Sequence, residues 1–193
     1  MDTLSASVLR DRKPQIGIVL GSGLGALAER IEGAEALPYS DIPGFPVSTA
    51  PGHKGRFVFG TIGDKEVVLM DGRVHLYEGY TPQQVVMPIR LMRQMGIHTV
   101  LLTNASGGIR RDLHAGDLML LTDHISSLVP SPLRGENDPS LGVRFPDMRH
   151  VYDEDLQRLF RQTAKALDIP LKSGVYIQLQ GPAFETPAEI KMC

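Results

Sequence analysis

The chain has 193 residues, of which 42% are hydrophobic and 22% are charged, and its net charge is −2. This balance is typical of a soluble globular domain and gives no sign of a protein that binds nucleic acid or a membrane surface. No apolar run is long enough to span a bilayer, and the first residues lack the pattern of a signal peptide. The single cysteine, Cys193, excludes an intramolecular disulfide and fits a reducing compartment. We therefore expect a cytoplasmic protein with one domain spanning residues 1–193.

Six short apolar runs predict β-strands, at residues 16–20, 56–62, 66–70, 99–103, 118–123 and 175–180. Only three residues, Gly63 to Lys65, separate the second run from the third, which predicts a hairpin. Several other runs have apolar residues at both odd and even positions, as a sheet covered on both faces requires. Amphipathic stretches lie between the runs. The pattern predicts an α/β fold with a mixed, largely parallel central sheet that is flanked by helices on both faces.

Two helix starts follow strands in the first half of the chain. Residues 26–31 read as the beginning of a helix directly after the first strand. Thr81 has the features of an N-cap, with a proline at the first helical position and Gln84 completing a capping box. This signal predicts a helix to about Met95, which Pro88 is expected to disturb.

The second half contains two more helix signals and one irregular segment. Residues 130–149 form a long polar loop rich in proline and glycine, which is typical of a lid, an interface or disorder. Asp153 is the expected N-cap of a helix with one apolar face. Thr186 repeats the capping-box signal, and the chain stops within about two turns of it. We expect either a short docked terminal helix or a protein interrupted in mid-helix, without its C-terminal part.

The first strand runs directly into the glycine-rich sequence GSGLG, a combination that favours binding of an anion. Gly21, Gly23 and Ala26 also match the spacing of a dinucleotide fingerprint, with Asp41 as its acid. Asp41 lies in a predicted loop, however, and no Lys-Ser/Thr pair follows the glycines as in a P-loop. Either the backbone and the Ser22 hydroxyl hold a single phosphate, or the glycines only form a tight turn.

The sequence DGRVHLYEGY follows the predicted strand 66–70, at the end of the sheet where α/β proteins bind ligands. If this segment is extended, Arg73, His75 and Tyr77 alternate and project to one side. A guanidinium, an imidazole and a phenol on one face suit a phosphate beside a sugar, although a solvated polar face has the same pattern. Glu78 would then accept a hydrogen bond from a neighbour or lie in water.

Three further segments carry candidate ligand contacts. Asn104 to Gly108 places small residues after a strand, where a backbone can approach an anion closely. Phe184 and Glu185 could supply a stacking surface and an acceptor, or simply belong to core and surface. His53 lies in the flexible sequence PGHKG. The other histidines have no metal-ligand spacing, so we expect no metal site.

The motifs GSGLG, PGHKG, GRVHLYEGY, TNASGG, RFPDM and GPAFETPAE occur in this order along nearly the whole chain. With them the sequence resembles the trimeric purine nucleoside phosphorylases. The resemblance implies an enzyme that cleaves purine ribonucleosides or deoxyribonucleosides with inorganic phosphate, giving a free base and a pentose 1-phosphate. It implies no cofactor, because phosphate is a co-substrate, and it implies a homotrimer.

The resemblance also assigns roles to residues of this chain. Phosphate would be held by Ser22, His53, Arg73, His75 and the backbone N–H of Ala105. The nucleoside would be bound by Tyr77 at the ribose, by Phe184 and Glu185 at the purine, and by Phe145 reaching a neighbouring subunit's site. The catalytic set would be His75, Arg73, Tyr77 and Glu185.

The sequence departs from the family in two respects. Ser106 stands where an alanine is expected, and the family's later part, with a further phosphate-binding serine and a purine-binding asparagine, has no counterpart before Cys193. A phosphate- or nucleoside-binding module without catalysis is therefore the second hypothesis. A dinucleotide-dependent oxidoreductase is the third.

Overall fold

The computed structural model describes residues 13–48 and 54–193, and the chain divides into two compact units, Met1–Ser106 and Gly107–Cys193. The described part of the first unit has one α-helix, α1 (Pro82–Gln94), and three 3-10 helices, Gly25–Glu29, Tyr39–Asp41 and Leu76–Glu78. Its strands are β1 (Ile16–Leu20), β2 (Glu32–Pro38), β3 (Arg56–Ile62), β4 (Lys65–Asp71) and β5 (Thr99–Leu102).

These five strands form one mixed sheet in the order β2-β3-β4-β1-β5. β1 pairs in parallel with both β4 and β5, whereas β3 pairs antiparallel with β2 and β4. The predicted hairpin joins β3 to β4, and its Gly63 has a φ of 61°, which glycine adopts readily. Because β1, β4 and β5 are parallel, the residues that follow all three strands leave the sheet at the same edge.

Alternate residues of the central strands pack on opposite faces of this sheet. On one face Val19, Phe57 and Val68 pack with Met92 of α1. On the other face Ile18, Leu20, Val58 and Leu69 pack with Ala28 of the first 3-10 helix. The predicted sheet covered on both faces is thus confirmed for β1, β3 and β4. Burial of each such side chain contributes roughly 1.5–3 kcal/mol to folding.

Helix α1 begins at the predicted capping box. Thr81 Oγ1 accepts from Gln84 N at 3.3 Å, and Gln84 Oε1 accepts from Thr81 N at 2.9 Å. The prediction that Pro88 disturbs the helix is wrong, because α1 continues through this buried proline. A proline removes one helical hydrogen bond, and the burial of Leu91 and Met92 against the sheet offsets that loss.

Two elements of the first unit differ from the sequence prediction. Residues 32–38, expected to be irregular, form the edge strand β2, whose residues are mostly exposed and do not alternate in polarity. Only pairing with β3 makes this segment a strand. The helix predicted from Ala26 is the 3-10 helix Gly25–Glu29. The neighbours of β1 are β4 and β5, so the strand before Asp41 does not flank β1 as a dinucleotide fingerprint requires.

The second unit contains β6 (Leu118–Ile125), β7 (Leu171–Ile177), α2 (Glu154–Ala166) and α3 (Pro187–Met192), and β6 and β7 pair in parallel. β7 begins before the predicted residue 175, because polar residues at its start hide the strand pattern. Both predicted helix caps are confirmed, since Asp153 accepts from Leu156 N at 2.8 Å and Thr186 accepts from Glu189 N at 3.3 Å. The apolar face of α2 is partly exposed in this unit.

Residues 130–149 contain neither helix nor strand, as predicted. The loop is held by its own contacts, because Arg144 Nη1 donates to Leu133 O at 2.9 Å and to Gly135 O at 2.8 Å. Within the described ranges, no helix is both long enough and apolar enough to cross a membrane.

Candidate functional site

The turn after β1 places Ser22 at the edge of the sheet where the parallel strands end. Leu24 N donates to Gly21 O at 3.1 Å and closes the turn. Gly23 has a φ of 87°, a conformation that residues with a side chain rarely adopt. Ser22 is exposed, so both its hydroxyl and the surrounding backbone are accessible to a small ligand.

Thr103 fixes this turn against the segment that follows β5. Its hydroxyl donates to Val19 O at 2.8 Å and accepts from Gly21 N at 2.8 Å. A Cβ added at Gly21 would lie 2.7 Å from Asn104 Cα, closer than such atoms can approach. The glycine turn and the segment around Asn104 are therefore in direct backbone contact, which only glycine at position 21 permits.

Arg73 lies against the same segment, since its Nη1 donates to Thr103 O at 3.4 Å. The backbone of Gly72, the residue before Arg73, is held by a buried hydrogen bond, because the Tyr39 hydroxyl donates to Gly72 O at 2.7 Å. Burial raises the pKa of Tyr39, and the charge of Asp71 raises it further, so this hydroxyl remains a donor at all ordinary pH values. Three chain segments thus meet at one edge of the sheet.

Removal of the Tyr39 hydroxyl tests this anchor. In Tyr39→Phe the Gly72 carbonyl loses a buried donor, and we expect the free energy of unfolding to fall by about 1–2 kcal/mol in urea titrations. Tyr80→Phe is the matched control, because Tyr80 donates to Val47 O at the same 2.7 Å but at an exposed position. An equal loss in both variants would contradict the role of burial.

His75 is held by Glu78. Glu78 Oε1 accepts from His75 N at 2.7 Å and contacts His75 Nδ1 at 2.8 Å, and the Glu78 side chain is only 2% exposed. The two contacts with Glu78 fix the orientation of the imidazole ring. The Tyr77 ring stacks on the imidazole, with centroids 4.7 Å apart and planes at 19°.

The predicted alternation of Arg73, His75 and Tyr77 requires an extended segment, but this segment is extended only in part. His75 is extended, but Leu76–Glu78 is a 3-10 helix that His75 and Glu78 cap reciprocally. Tyr77 therefore comes beside His75 through the helical turn and not through strand alternation. Of the two alternatives for Glu78, acceptance from a neighbour is confirmed.

The geometry of a glycine turn, an arginine and an oriented histidine at one sheet edge does not by itself identify a family. The sequence model described as "Phosphorylase superfamily" matches residues 15–193. The chain belongs to this superfamily. Its resemblance to purine nucleoside phosphorylases is confirmed by relatives of both kinds, curated sequences and solved structures.

Among the curated sequences, purine nucleoside phosphorylase 1 of Bacillus subtilis is 49% identical over 178 residues, covering 92% of this chain and 66% of the relative. Purine nucleoside phosphorylase of Bos taurus is 42% identical over 189 residues, covering 94% and 65%. The chain therefore spans slightly less than two thirds of the length of these relatives.

The solved structures confirm the α/β fold. A purine nucleoside phosphorylase in complex with ribose 1-phosphate matches with a TM-score of 0.92 and 38% identity, covering 99% of this chain and 73% of that one. The Schistosoma mansoni purine nucleoside phosphorylase in complex with adenosine matches with a TM-score of 0.92 and 38% identity, covering 99% and 70%.

In this phosphorylase-superfamily chain, the predicted phosphate ligands of the first unit lie on connected segments. Ser22 and Arg73 both flank the segment of Thr103, which leads into the exposed Ala105. The role given to each residue stays a prediction. The predicted ligand His53 lies outside the described residues.

The remaining predicted residues, Phe145, Phe184 and Glu185, belong to the second unit. Phe145 is 87% exposed and Phe184 is 96% exposed, so neither ring belongs to the core of this unit. The core alternative for Phe184 is wrong, and its role as a stacking surface stays a prediction. Glu185 is partly exposed.

Sequence reasoning did not single out two residues that shape the site, Thr103 and Tyr39. Thr103 follows three apolar residues of a predicted strand, and a hydroxyl at the end of such a strand is a sequence signal for a hydrogen bond to a neighbouring segment. Tyr39 follows an edge strand that carries no sequence pattern, so no comparable signal exists for it. Among the described residues, no group of three or more His, Cys, Asp or Glu side chains could hold a metal ion.

Proposed function

We propose that the chain is a purine nucleoside phosphorylase, which transfers the pentose of a purine ribonucleoside or deoxyribonucleoside to inorganic phosphate. The products are the free base and a pentose 1-phosphate. The observation that carries the proposal is the meeting of the glycine turn, Arg73 and the Thr103 segment at one sheet edge, beside the oriented His75. The names of the relatives support the same activity.

The phosphate is held by donors of different kinds. Arg73 supplies a permanent charge in a fork that matches two phosphate oxygens, while Ser22 and the Ala105 N–H supply neutral donors. His75 is a further contact of the phosphate, and Glu78 orients its ring. His53 completes the set from its own loop.

Catalysis follows from placing this phosphate below the anomeric carbon. As the glycosidic bond lengthens, the sugar gains oxocarbenium character, and the negative charge of the phosphate stabilises it before the oxygen attacks. Positioning supplies most of the rate enhancement, because the reactants are held in line at one edge. The C–N bond breaks with its electron pair on the purine, a phosphate oxygen forms the new bond to the anomeric carbon, and the purine anion takes a proton from solvent water. No cofactor takes part in this proposal.

The nucleoside contacts in this proposal are those that the family resemblance implies. Tyr77, whose ring lies on His75, faces the ribose. Phe184 stacks on the purine, and Glu185 accepts hydrogen bonds at its N1 side. The highly exposed Phe145 covers the ribose in a neighbouring subunit of a homotrimer. In this proposal residues 1–193 act as one phosphorylase domain in the cytoplasm.

The activity is tested by mixing the chain with inosine and phosphate and following hypoxanthine release. We expect release that saturates with phosphate and stops without it. Equal release without phosphate would indicate a hydrolase and contradict the proposal. Calorimetric binding of phosphate without any turnover would favour the binding module instead, and saturable NAD(P) binding would favour the oxidoreductase.

The charge of Glu78 has its own test. Glu78→Gln retains an oxygen that can accept from His75 but removes the negative charge, so we expect kcat to fall about 10- to 100-fold with little change in the KM for inosine. Glu154→Gln is the control, since Glu154 lies 3.4 Å from His150 Nδ1 in an exposed histidine–glutamate pair. A Glu78→Gln variant with unchanged kcat would contradict a catalytic contribution of this charge.

A further inference from the structure

A buried carboxylate lies next to the proposed phosphate site. Asp71 is the last residue of β4, two positions before Arg73, and is 4% exposed. In the parallel pairing of β1 with β4 it stands opposite Leu20, the residue before the glycine turn. Neighbouring strands are roughly 5 Å apart. A negative group thus lies between two segments that are proposed to bind an anion.

Arg56 is the partner of this carboxylate. The two residues face each other in the antiparallel pairing of β3 with β4, and Arg56 Nε donates to Asp71 Oδ2 at 2.9 Å. The Arg56 side chain is 23% exposed, so the pair is shielded from solvent much more than a surface ion pair. Little of the attraction is therefore lost to screening.

The same guanidinium reaches the helix that follows the glycine turn. Arg56 Nη2 donates to Glu29 Oε1, at the last residue of the 3-10 helix Gly25–Glu29, and Lys54 Nζ contacts that oxygen at 2.5 Å. The first residue of the helix lies close to the other end of the network, since a Cβ added at Gly25 would lie 3.2 Å from Asp71 Oδ1. The Arg56–Asp71 pair is therefore bonded to one end of this short helix and lies beside the other.

An isolated carboxylate at this position would oppose phosphate binding. Two negative groups repel each other over several ångströms where water is excluded, and a phosphate dianion doubles the effect. The Arg56 charge offsets that of Asp71 at a hydrogen-bonded distance, so the buried carboxylate opposes the binding of phosphate less. Charge compensation within the Arg56–Asp71 pair therefore favours anion binding, in addition to any effect of the pair on the local structure.

We propose that Arg56 is a positioning residue for phosphate: it neutralises the buried Asp71 carboxylate beside the anion site and ties the helix after the glycine turn to the end of β4. This inference rests on the proposed phosphate site. Arg56 does not touch the phosphate in this scheme, and acts through Asp71 and Glu29.

The test is calorimetric titration of the whole chain with inorganic phosphate, for the wild type, Arg56→Gln, Asp71→Asn and the double variant. We expect Arg56→Gln to bind phosphate about tenfold more weakly, because the Asp71 charge is then uncompensated. Asp71→Asn is expected to bind at least as tightly as the wild type, and the double variant to return close to it. In active protein, the KM for phosphate rises in Arg56→Gln while the KM for inosine does not.

The exposed pair of Lys65 with Asp64 supplies the control, since Lys65 begins β4 at the opposite end of the strand from Asp71. Lys65→Ala is expected to leave phosphate binding unchanged. A double variant as weak as Arg56→Gln would overturn the charge argument, as would Asp71→Asn binding more weakly than the wild type. The second result remains decisive even when Arg56→Gln fails to fold, because Asp71→Asn removes the buried carboxylate and leaves Arg56 paired with Glu29.

The experiments distinguish failure of the proposed phosphate site from failure of the role proposed for Arg56. A wild-type chain that does not bind phosphate overturns the proposed site, and this inference falls with it. A wild type that binds phosphate, loses binding in Arg73→Ala and keeps it in Arg56→Gln overturns only the role of Arg56.

Discussion

Arg73→Ala is expected to weaken phosphate binding at least about 100-fold, which corresponds to ~3 kcal/mol. Arg73 is partly buried, and its Nη1 donates at 3.4 Å to the carbonyl of Thr103, whose hydroxyl accepts from Gly21 N in the glycine turn. A bidentate, charge-assisted hydrogen bond from arginine to phosphate is among the strongest interactions that a side chain makes. Calorimetry with inorganic phosphate measures the loss directly, and the KM for phosphate measures it in active protein.

Two further variants separate charge from geometry. Arg73→Lys keeps the charge but not the fork, and we expect it to recover only part of the affinity. Arg93→Ala removes an exposed arginine of α1 that contacts His98 at 2.8 Å, and we expect no change. An unchanged phosphate affinity in Arg73→Ala would remove the central ligand from the proposed site, whereas unchanged inosine affinity is expected.

The sequence predicted most of the fold because the central strands are buried on both faces. β3 was predicted with its observed bounds, and the hairpin to β4 followed from Gly63. Such strands carry apolar residues on both faces over most of their length, which is a local signal. β2 escaped because an edge strand with exposed side chains needs only a partner for its backbone, and that partner is distant in sequence.

The sequence predicted candidate ligands at the sheet edge, but it did not predict the residues that support them. Arg73 and His75 were recognisable because charged residues directly after a buried strand stand out. Tyr39 and Arg56 act through contacts with Gly72 and Asp71 that are 33 and 15 residues away in sequence. No spacing rule connects such residues, because the sheet register creates the contact. Position within the three-dimensional sheet is therefore the information that the sequence pattern does not contain.

The glycine turn provides the second large expected effect. In Gly21→Ala the new methyl group would lie 2.7 Å from Asn104 Cα and 2.8 Å from Thr103 O, both of them backbone atoms. Neither atom can rotate away, so the turn and the segment after β5 must separate. We expect phosphate binding to be lost, and the free energy of unfolding to fall by about 1–3 kcal/mol. Calorimetry and urea unfolding measure the two effects.

Gly107→Ala isolates the clash from the general cost of replacing glycine. Gly107 lies three residues after Asn104, and a Cβ added there meets nothing within 4 Å. We expect this variant to fold and to bind phosphate like the wild type. A thermally stable Gly21→Ala protein with full phosphate affinity would mean that the turn need not touch the Thr103 segment. Because that contact is proposed to bring Ser22 and Ala105 to one anion, such a result would contradict the proposed site and not only the role of one glycine.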